Sequence, residues 1–249
     1  MIDLHTHILP GIDDGARDRE QSQTLLNMLR EQGVDTVVAT PHYYGRNKGV
    51  RQFLEVRQRA LEQLSLPQGM RLVAGCECNV ASCANGDFDD LRPLSIGGTR
   101  YILTEMSFAP KWDRRMWERL QKLIDTGLVP VIAHVEIYPA IRKNPQDALH
   151  LMEAGCLLQI NCDSVLSHEL YPLVRALIEH EQAHCLGSDT HNTETRPPQY
   201  AQAIDVLRQD FGDALVNRLQ QNMEAILRDE DVQRTYRAPV RRGHFGKYL

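Results

Sequence analysis

The chain opens MIDLHTHILPGIDDG, and its chemistry begins at His5 and His7. In an extended strand alternate side chains share a face, so these two imidazoles point one way while Leu4 and Ile8 point the other. Paired imidazoles on one face suit a divalent metal ion, and Asp13-Asp14 on the loop that follows adds hard oxygen donors. Taken alone, a His-x-His serves equally well as the polar end of a buried strand. Residues of the same types recur further on: His42 in ATPH, Glu77 in GCE, Glu105 in LTE, His134 in AHVE, and Asp189 and His191 in SDTH.

What must position them is a set of short apolar strands. After the opening strand, residues 34–40, 71–77, 101–105, 129–134, 156–161 and 184–188 read as buried strands. Residues 19–32, 52–65, 112–125, 145–154 and 168–181 carry apolar residues at helical spacing, and two more amphipathic segments cover 199–210 and 213–229. Strands alternating with helices imply parallel βαβ units with both sheet faces covered. No G-x-G-x-x-G follows the first strand, which weakens a dinucleotide-binding open sheet. The expected fold is therefore α/β, a barrel formed by residues 1–249 as one domain, with residues 236–249 a basic tail. In that barrel each ligand-type residue sits at the carboxyl end of a strand, and those ends share the rim where active sites assemble.

Clustered carboxylates without cations repel one another and shift toward the neutral form, so the pattern calls for bound metal. The imidazoles and acids together exceed what one ion can use, and two or three ions bridged by a shared carboxylate fit better. Mixed nitrogen and oxygen donors without cysteine suit manganese, iron or zinc. Such clusters activate water and clamp phosphate oxygens, making ester hydrolysis the natural reaction class. His150, His168, His180 and His244 fall in helices or the tail and His184 at the opposite rim, where surface or structural roles are expected.

Composition narrows the field. A net charge of −5 and a pI near 6.1 argue against nucleic-acid binding. No apolar run reaches membrane-span length and no signal peptide is apparent, so a soluble cytoplasmic protein is expected. The six cysteines form no C-x-x-C and read as reduced, buried thiols. None of them begins Cys-x5-Arg. Asp87-Phe88-Asp89, which imitates an aspartyl nucleophile, follows polar Asn85-Gly86 rather than a strand.

The motifs HTHILPGIDDG, ATPH, GCE, LTE, AHVE and SDTHN, in this order, resemble the polymerase and histidinol phosphatase (PHP) family. HILPGIDDG and SDTHNTETRPP resemble most its manganese-dependent bacterial protein-tyrosine phosphatases of capsule and exopolysaccharide loci. The resemblance implies a distorted (β/α)7 barrel with three metal ions, most simply manganese, with iron, zinc or magnesium as alternatives. It puts His5, His7, Glu77 and Asp189 on one ion, Glu77, Glu105 and His134 on a second, and Asp14, His42 and His191 on the third. Asp13 is then left as a turn residue. Arg196 matches a family arginine that contacts the substrate phosphate, a task suited to a guanidinium. The implied mechanism is a single displacement by a metal-bridging hydroxide, with tyrosinate (pKa of about 10) leaving readily. The implied substrate is the phosphotyrosine-rich tail of a membrane-associated tyrosine kinase.

One departure stands out. Ile137 occupies the position where family members commonly carry an arginine after the AHxE motif, and Arg142, Arg46 or Lys48 are the candidates to compensate. The competing readings are a small-molecule phosphatase acting on a substrate such as histidinol phosphate, an amidohydrolase on a similar His-x-His barrel, and a regulatory homologue with weakened catalysis. The basic tail, with Arg237, Arg241, Arg242, Lys247, His244 and Phe245, suits either an acidic partner or another subunit in a homo-oligomer, or simply packs on the barrel.

Overall fold

The computed structural model describes residues 1–47, 49–83, 91–243 and 247–249. Lys48, Asn85-Gly86, Asp87-Phe88-Asp89, His244 and Phe245 lie outside the described residues. The strands are β1 (Ile2–Thr6), β2 (Thr36–Ala39), β3 (His42–Tyr43), β4 (Arg71–Ala74), β5 (Glu77–Asn79), β6 (Tyr101–Glu105), β7 (Val129–Ile132), β8 (Leu157–Asn161) and β9 (Cys185–Gly187). The helices are α1 (Arg19–Glu31), α2 (Val50–Leu61), α3 (Arg114–Asp125), α4 (Pro139–Lys143), α5 (Gln146–Glu153), α6 (Cys162–Leu166), α7 (Tyr171–Glu179), α8 (Tyr200–Phe211) and α9 (Asp213–Leu227). The short helices α4 and α6 fall where the sequence pattern shows only connections, because neither is long enough to display a helical period.

One expected strand is broken in two, and another is followed by a strand that the pattern did not show. The run 71–77 divides between β4 and β5, and β3 follows the run 34–40; β2 pairs with β1 and β4, whereas β3 pairs with β5 and β5 with β6. Pro41, which has no N–H to donate, separates β2 from β3, and Gly75-Cys76 separates β4 from β5 at the same height. The two neighbours bend together there: Gly75 N–H donates to Ala39 C=O (2.9 Å) and Glu77 N–H to Pro41 C=O (3.0 Å). Beyond the bend His42 and Glu77 stand opposite each other in register.

Every pairing between these strands is parallel, and the order β3-β5-β6-β7-β8-β9 continues the curl. Backbone bonds then link the end of β9 to β1, with Asp189 N–H donating to His5 C=O (2.8 Å) and His7 N–H to Thr190 C=O (2.9 Å). The result is a mixed α/β fold on a curled parallel sheet with helices outside it. Leu4 on β1 and Leu25, Leu26 and Leu29 on α1 are fully buried, while Asp3, His5 and His7 occupy the other face. Caps fix helix entries as expected: Asp18 accepts from Gln21 N–H and Asp113 from Met116 N–H, each at 2.9 Å.

The first residues of the tail are tied down. Ala238 C=O accepts from His180 Nδ1 and Gln182 Nε2, Arg237 pairs with Glu181, and Val240 is buried. No described helix is long and apolar enough to cross a membrane.

Two glycines let backbones approach the opening motif. A Cβ on Gly15 would lie 2.1 Å from His7 O, and one on Gly187 would lie 2.5 Å from His5 Cβ. Gly187→Ala is therefore expected to cost ~1–3 kcal/mol through overpacking, read as a lower urea midpoint. An unchanged midpoint would show that β1 and β9 separate freely.

Candidate metal centre

The bend between β2 and β3 and the matching one between β4 and β5 bring Glu77 to the middle of the cluster. Its Oε2 lies 2.9 Å from His42 Nδ1, 3.3 Å from His7 Nε2 and 3.4 Å from His5 Nε2. Its Oε1 lies 2.8 Å from His134 Nε2, in a hydrogen bond. Despite the short distances, neither Oε2 nor His42 Nδ1 has an aligned hydrogen-bond partner, and His191 Nε2 and His134 Nδ1 are likewise buried and unpaired. Buried polar atoms are rarely left so. Lone pairs converging without protons to share suit cations.

All nine residues expected at the rim meet here. Ligand atoms of His7, Asp14, His42 and His191 lie within 4.8 Å of one another, as do those of His5, His7 and Asp189, and those of His42, Glu77 and Glu105. His134 joins through Glu77. The grouping differs in detail from the sets implied by resemblance: His7 stands with Asp14, His42 and His191 as well as with His5, and His42 stands with Glu77 and Glu105. Arg196 Nη2 pairs with Asp189 Oδ2 at 2.6 Å, and its side chain stays 40% exposed at the edge of the cluster. Of the compensating cations considered, Arg142 pairs with Glu169 and Arg46 donates to Ala81 C=O (3.3 Å). Of these three arginines, Arg196 alone reaches a cluster carboxylate.

The supporting residues were less visible in sequence. Asp13, read as a turn residue, accepts from His7 Nδ1 (2.8 Å), His42 N–H (2.9 Å) and Gly15 N–H (3.0 Å). Gln159 Oε1, an acceptor only, takes His5 Nδ1 and His134 N–H, each at 3.0 Å. Both His5 and His7 thus hold a hydrogen on Nδ1 and turn Nε2, the atom left for a metal, inward, where the two Nε2 atoms are 3.0 Å apart. Asn161 takes Gln159 Nε2 on its Oδ1 and gives its amide to Asp189 Oδ2, each at 2.9 Å. Buried Glu136 accepts Asn161 N–H (2.9 Å), and Asn79 donates to Glu105 Oε2. The available signals were Asp13 beside Asp14 and a glutamine inside the apolar run CLLQIN. His134 (φ 36°) and Asp189 (φ 53°) take left-handed backbone, which such residues seldom adopt.

Electrostatics follow the contacts. Burial alone would lower the His7 pKa, but its bonds to Asp13 and Glu77 win and push it up to about 10. His134, pulled down by burial and up by Glu77, reaches about 9. Asp13, raised by burial but bonded to His7, falls to about 2. Surrounding imidazoles hold Glu77 well below the carboxylate range against its burial. Burial and neighbouring Glu77 raise Glu105. Burial and the charge on His7 lower His191 to about 4.

A family model described as "Capsular polysaccharide synthesis, CpsB/CapC" matches residues 1–228. The chain belongs to the CpsB/CapC family. Within it, this chain is 33% identical to tyrosine-protein phosphatase YwqE of Bacillus subtilis over 97% of each chain. It is 31% identical to tyrosine-protein phosphatase CpsB of Streptococcus pneumoniae, over 85% of this chain and 91% of that one. The crystal structure of YwqE, described together with CpsB as unique metal-dependent tyrosine phosphatases, superposes with a TM-score of 0.81, covering 97% of this chain and 100% of the other. A more distant likeness, of fold alone, is to the Escherichia coli phosphotriesterase homology protein at 14% identity and a TM-score of 0.52, over 89% and 96% of the chains.

The thiols of this CpsB/CapC member take no part. All six are free and buried, and burial pushes Cys156 up to about 12. Ile137, at the end of the turn after His134, brings no cation to the cluster.

Two predictions test the supporting layer. Asp13→Asn is expected to weaken metal affinity about 10- to 100-fold, the range for losing an orienting carboxylate, measured by competition with a chelating dye. Metal loading is also expected to expel protons. His7 and His134 are raised above neutrality and so are protonated at pH 7.5 in the free cluster, whereas metal ligation needs them neutral. Affinity should therefore climb as pH rises toward 9. Calorimetry in two buffers of different ionisation enthalpy measures the release, and equal heats in both would contradict it.

Proposed function

We propose that this chain is a metal-dependent protein-tyrosine phosphatase on a distorted (β/α)7 barrel. In this reading β2 with β3, and β4 with β5, each count as one bent strand. It would hold two to three divalent ions, most simply manganese, on His5, His7, Asp14, His42, Glu77, Glu105, His134, Asp189 and His191. The observation that carries the metal reading is Glu77 Oε2, which faces three imidazole nitrogens within 3.4 Å and has no hydrogen-bond partner. Kinship with YwqE and CpsB, both named tyrosine phosphatases, supports the substrate class. A phosphotyrosine protein of capsule or exopolysaccharide synthesis, such as a membrane-associated tyrosine kinase, is the proposed partner. The six free thiols fit a cytoplasmic location.

Divalent ions bound there would activate water and neutralise phosphate oxygens. The protein's own residues do the rest. Gln159 and Asp13 keep the His5 and His7 lone pairs aimed at the centre. Arg196, anchored by one nitrogen on Asp189, has its remaining donors for the equatorial phosphate oxygens. Tyrosinate, with an ordinary pKa of about 10, leaves without a dedicated acid. Glutamates at the ends of two adjacent strand lines favour this chemistry over that of an amidohydrolase.

Glu77→Ala is expected to lose bound metal and phosphotyrosine hydrolysis together, measured by elemental analysis and phosphate release. Normal turnover in that variant would overturn the shared-ligand role. Arg196→Ala should keep its metal and lose roughly 100-fold in kcat/KM, as for other removed transition-state donors. Ile137→Arg is expected to raise kcat/KM severalfold by restoring the family's second guanidinium, and an unchanged value would mean that Arg196 suffices.

A further inference from the structure

Two exposed aromatic rings stand against the cluster on opposite sides of Glu77. Tyr44 is 36% exposed and Phe108 is 49% exposed. The Tyr44 ring lies 5.3 Å from that of His42, at an interplanar angle of 32°. Phe108 lies 5.9 Å from the His134 ring at 34°. These two histidines contact the two different oxygens of Glu77, so the rings flank the carboxylate at the centre of the site.

Phe108 has firm backing, and Tyr44 stands over open space. Phe108 rests on Tyr138 (5.1 Å), which packs edge-on to Trp112 (5.4 Å). Tyr138 is fully buried and its hydroxyl accepts Met106 N–H (2.9 Å), while Trp112 Nε1 donates to Ser107 C=O (2.7 Å). Tyr44 borders a cavity of about 330 Å³ that reaches Asp14, His42, Asn47 and Phe53. Exposed aromatic surface held in place beside a charged cluster is surface that a ligand ring can cover, since aromatic pairs gain energy beyond the area they bury.

We propose that Phe108 and Tyr44 seat the aromatic ring of the phosphate ester and select aryl over alkyl phosphates. This rests on the phosphatase reading above, and it assigns the selection to two residues that touch no phosphate. An aryl ester can lay its ring on this aromatic surface, whereas an alkyl ester leaves both aromatics wet. Neither residue supplies a ligand atom, so their loss spares the metals.

Binding can be separated from turnover with phenylphosphonate and methylphosphonate, which share a head group, resist hydrolysis and differ in the ring. The manganese-loaded wild type is expected to bind the phenyl compound at least about tenfold tighter by calorimetry, and Phe108→Ala and Tyr44→Ala should each cut that ratio roughly fivefold. Phe108→Tyr and Tyr44→Phe, which keep a ring, should preserve it. In turnover, both alanine variants should raise KM for phosphotyrosine, hold kcat within about twofold and leave acetyl phosphate, a ringless substrate with a good leaving group, unaffected. A wild-type ratio near one, a ratio unmoved by both alanine variants, or equal weakening of both phosphonates would overturn the seat. An intact ring preference without phosphotyrosine turnover would support the seat and strike the phosphatase reading alone.

Discussion

The structure turns on one carboxylate. Glu77 is fully buried, its side chain almost without water contact, among imidazoles from three other strand lines. Burying a charge is costly unless it is paired, and here the partners are nitrogen lone pairs as much as protons. The arrangement stays coherent when positive charge sits between the groups, as protons in the free protein or as metal ions in the loaded one. The short contacts, the unpaired atoms and the opposing shifts of His7 and Glu77 all follow from that need.

The scaffold serves it by bending. Pro41 separates β2 from β3, and Gly75-Cys76 separates β4 from β5 at the same level. The upper pieces β3 and β5 then pair with each other, setting His42 against Glu77. On the far side the bonds between β9 and β1 hold Asp189 to His5. Asp13, Gln159 and Asn161 add a second layer that uses the other nitrogen of His5 and of His7, and the second oxygen of Asp189, to fix their direction. That layer is why the cluster keeps its aim in a rim made of loops.

Much of the centre was legible in the chain. His5 and His7 share a face because strand geometry alternates, and the other ligand-type residues each end an apolar run. That those ends converge is a rule of parallel α/β folds, so eight of the nine candidate residues and the expectation of metal could be read without coordinates, while Asp14 came from the family resemblance. The helical period likewise located α1, α3, α8 and α9 to within a few residues, since amphipathic patterns over three turns are hard to mistake.

What the tertiary structure alone decided is which groups touch. Asp13 read as a turn acid until folding placed its oxygen 2.8 Å from His7 Nδ1. Gln159 lies 154 positions from His5, which it orients, and no local pattern announces such a bond. The division of the run 71–77 between β4 and β5, the contacts of Phe108 and Tyr44 with cluster histidines, and Arg196's grip on Asp189 share that character. Backbone periodicity is a local property and is written in the order of residues. Hydrogen-bond partners and charge pairing depend on distances that the chain acquires only when it closes on itself.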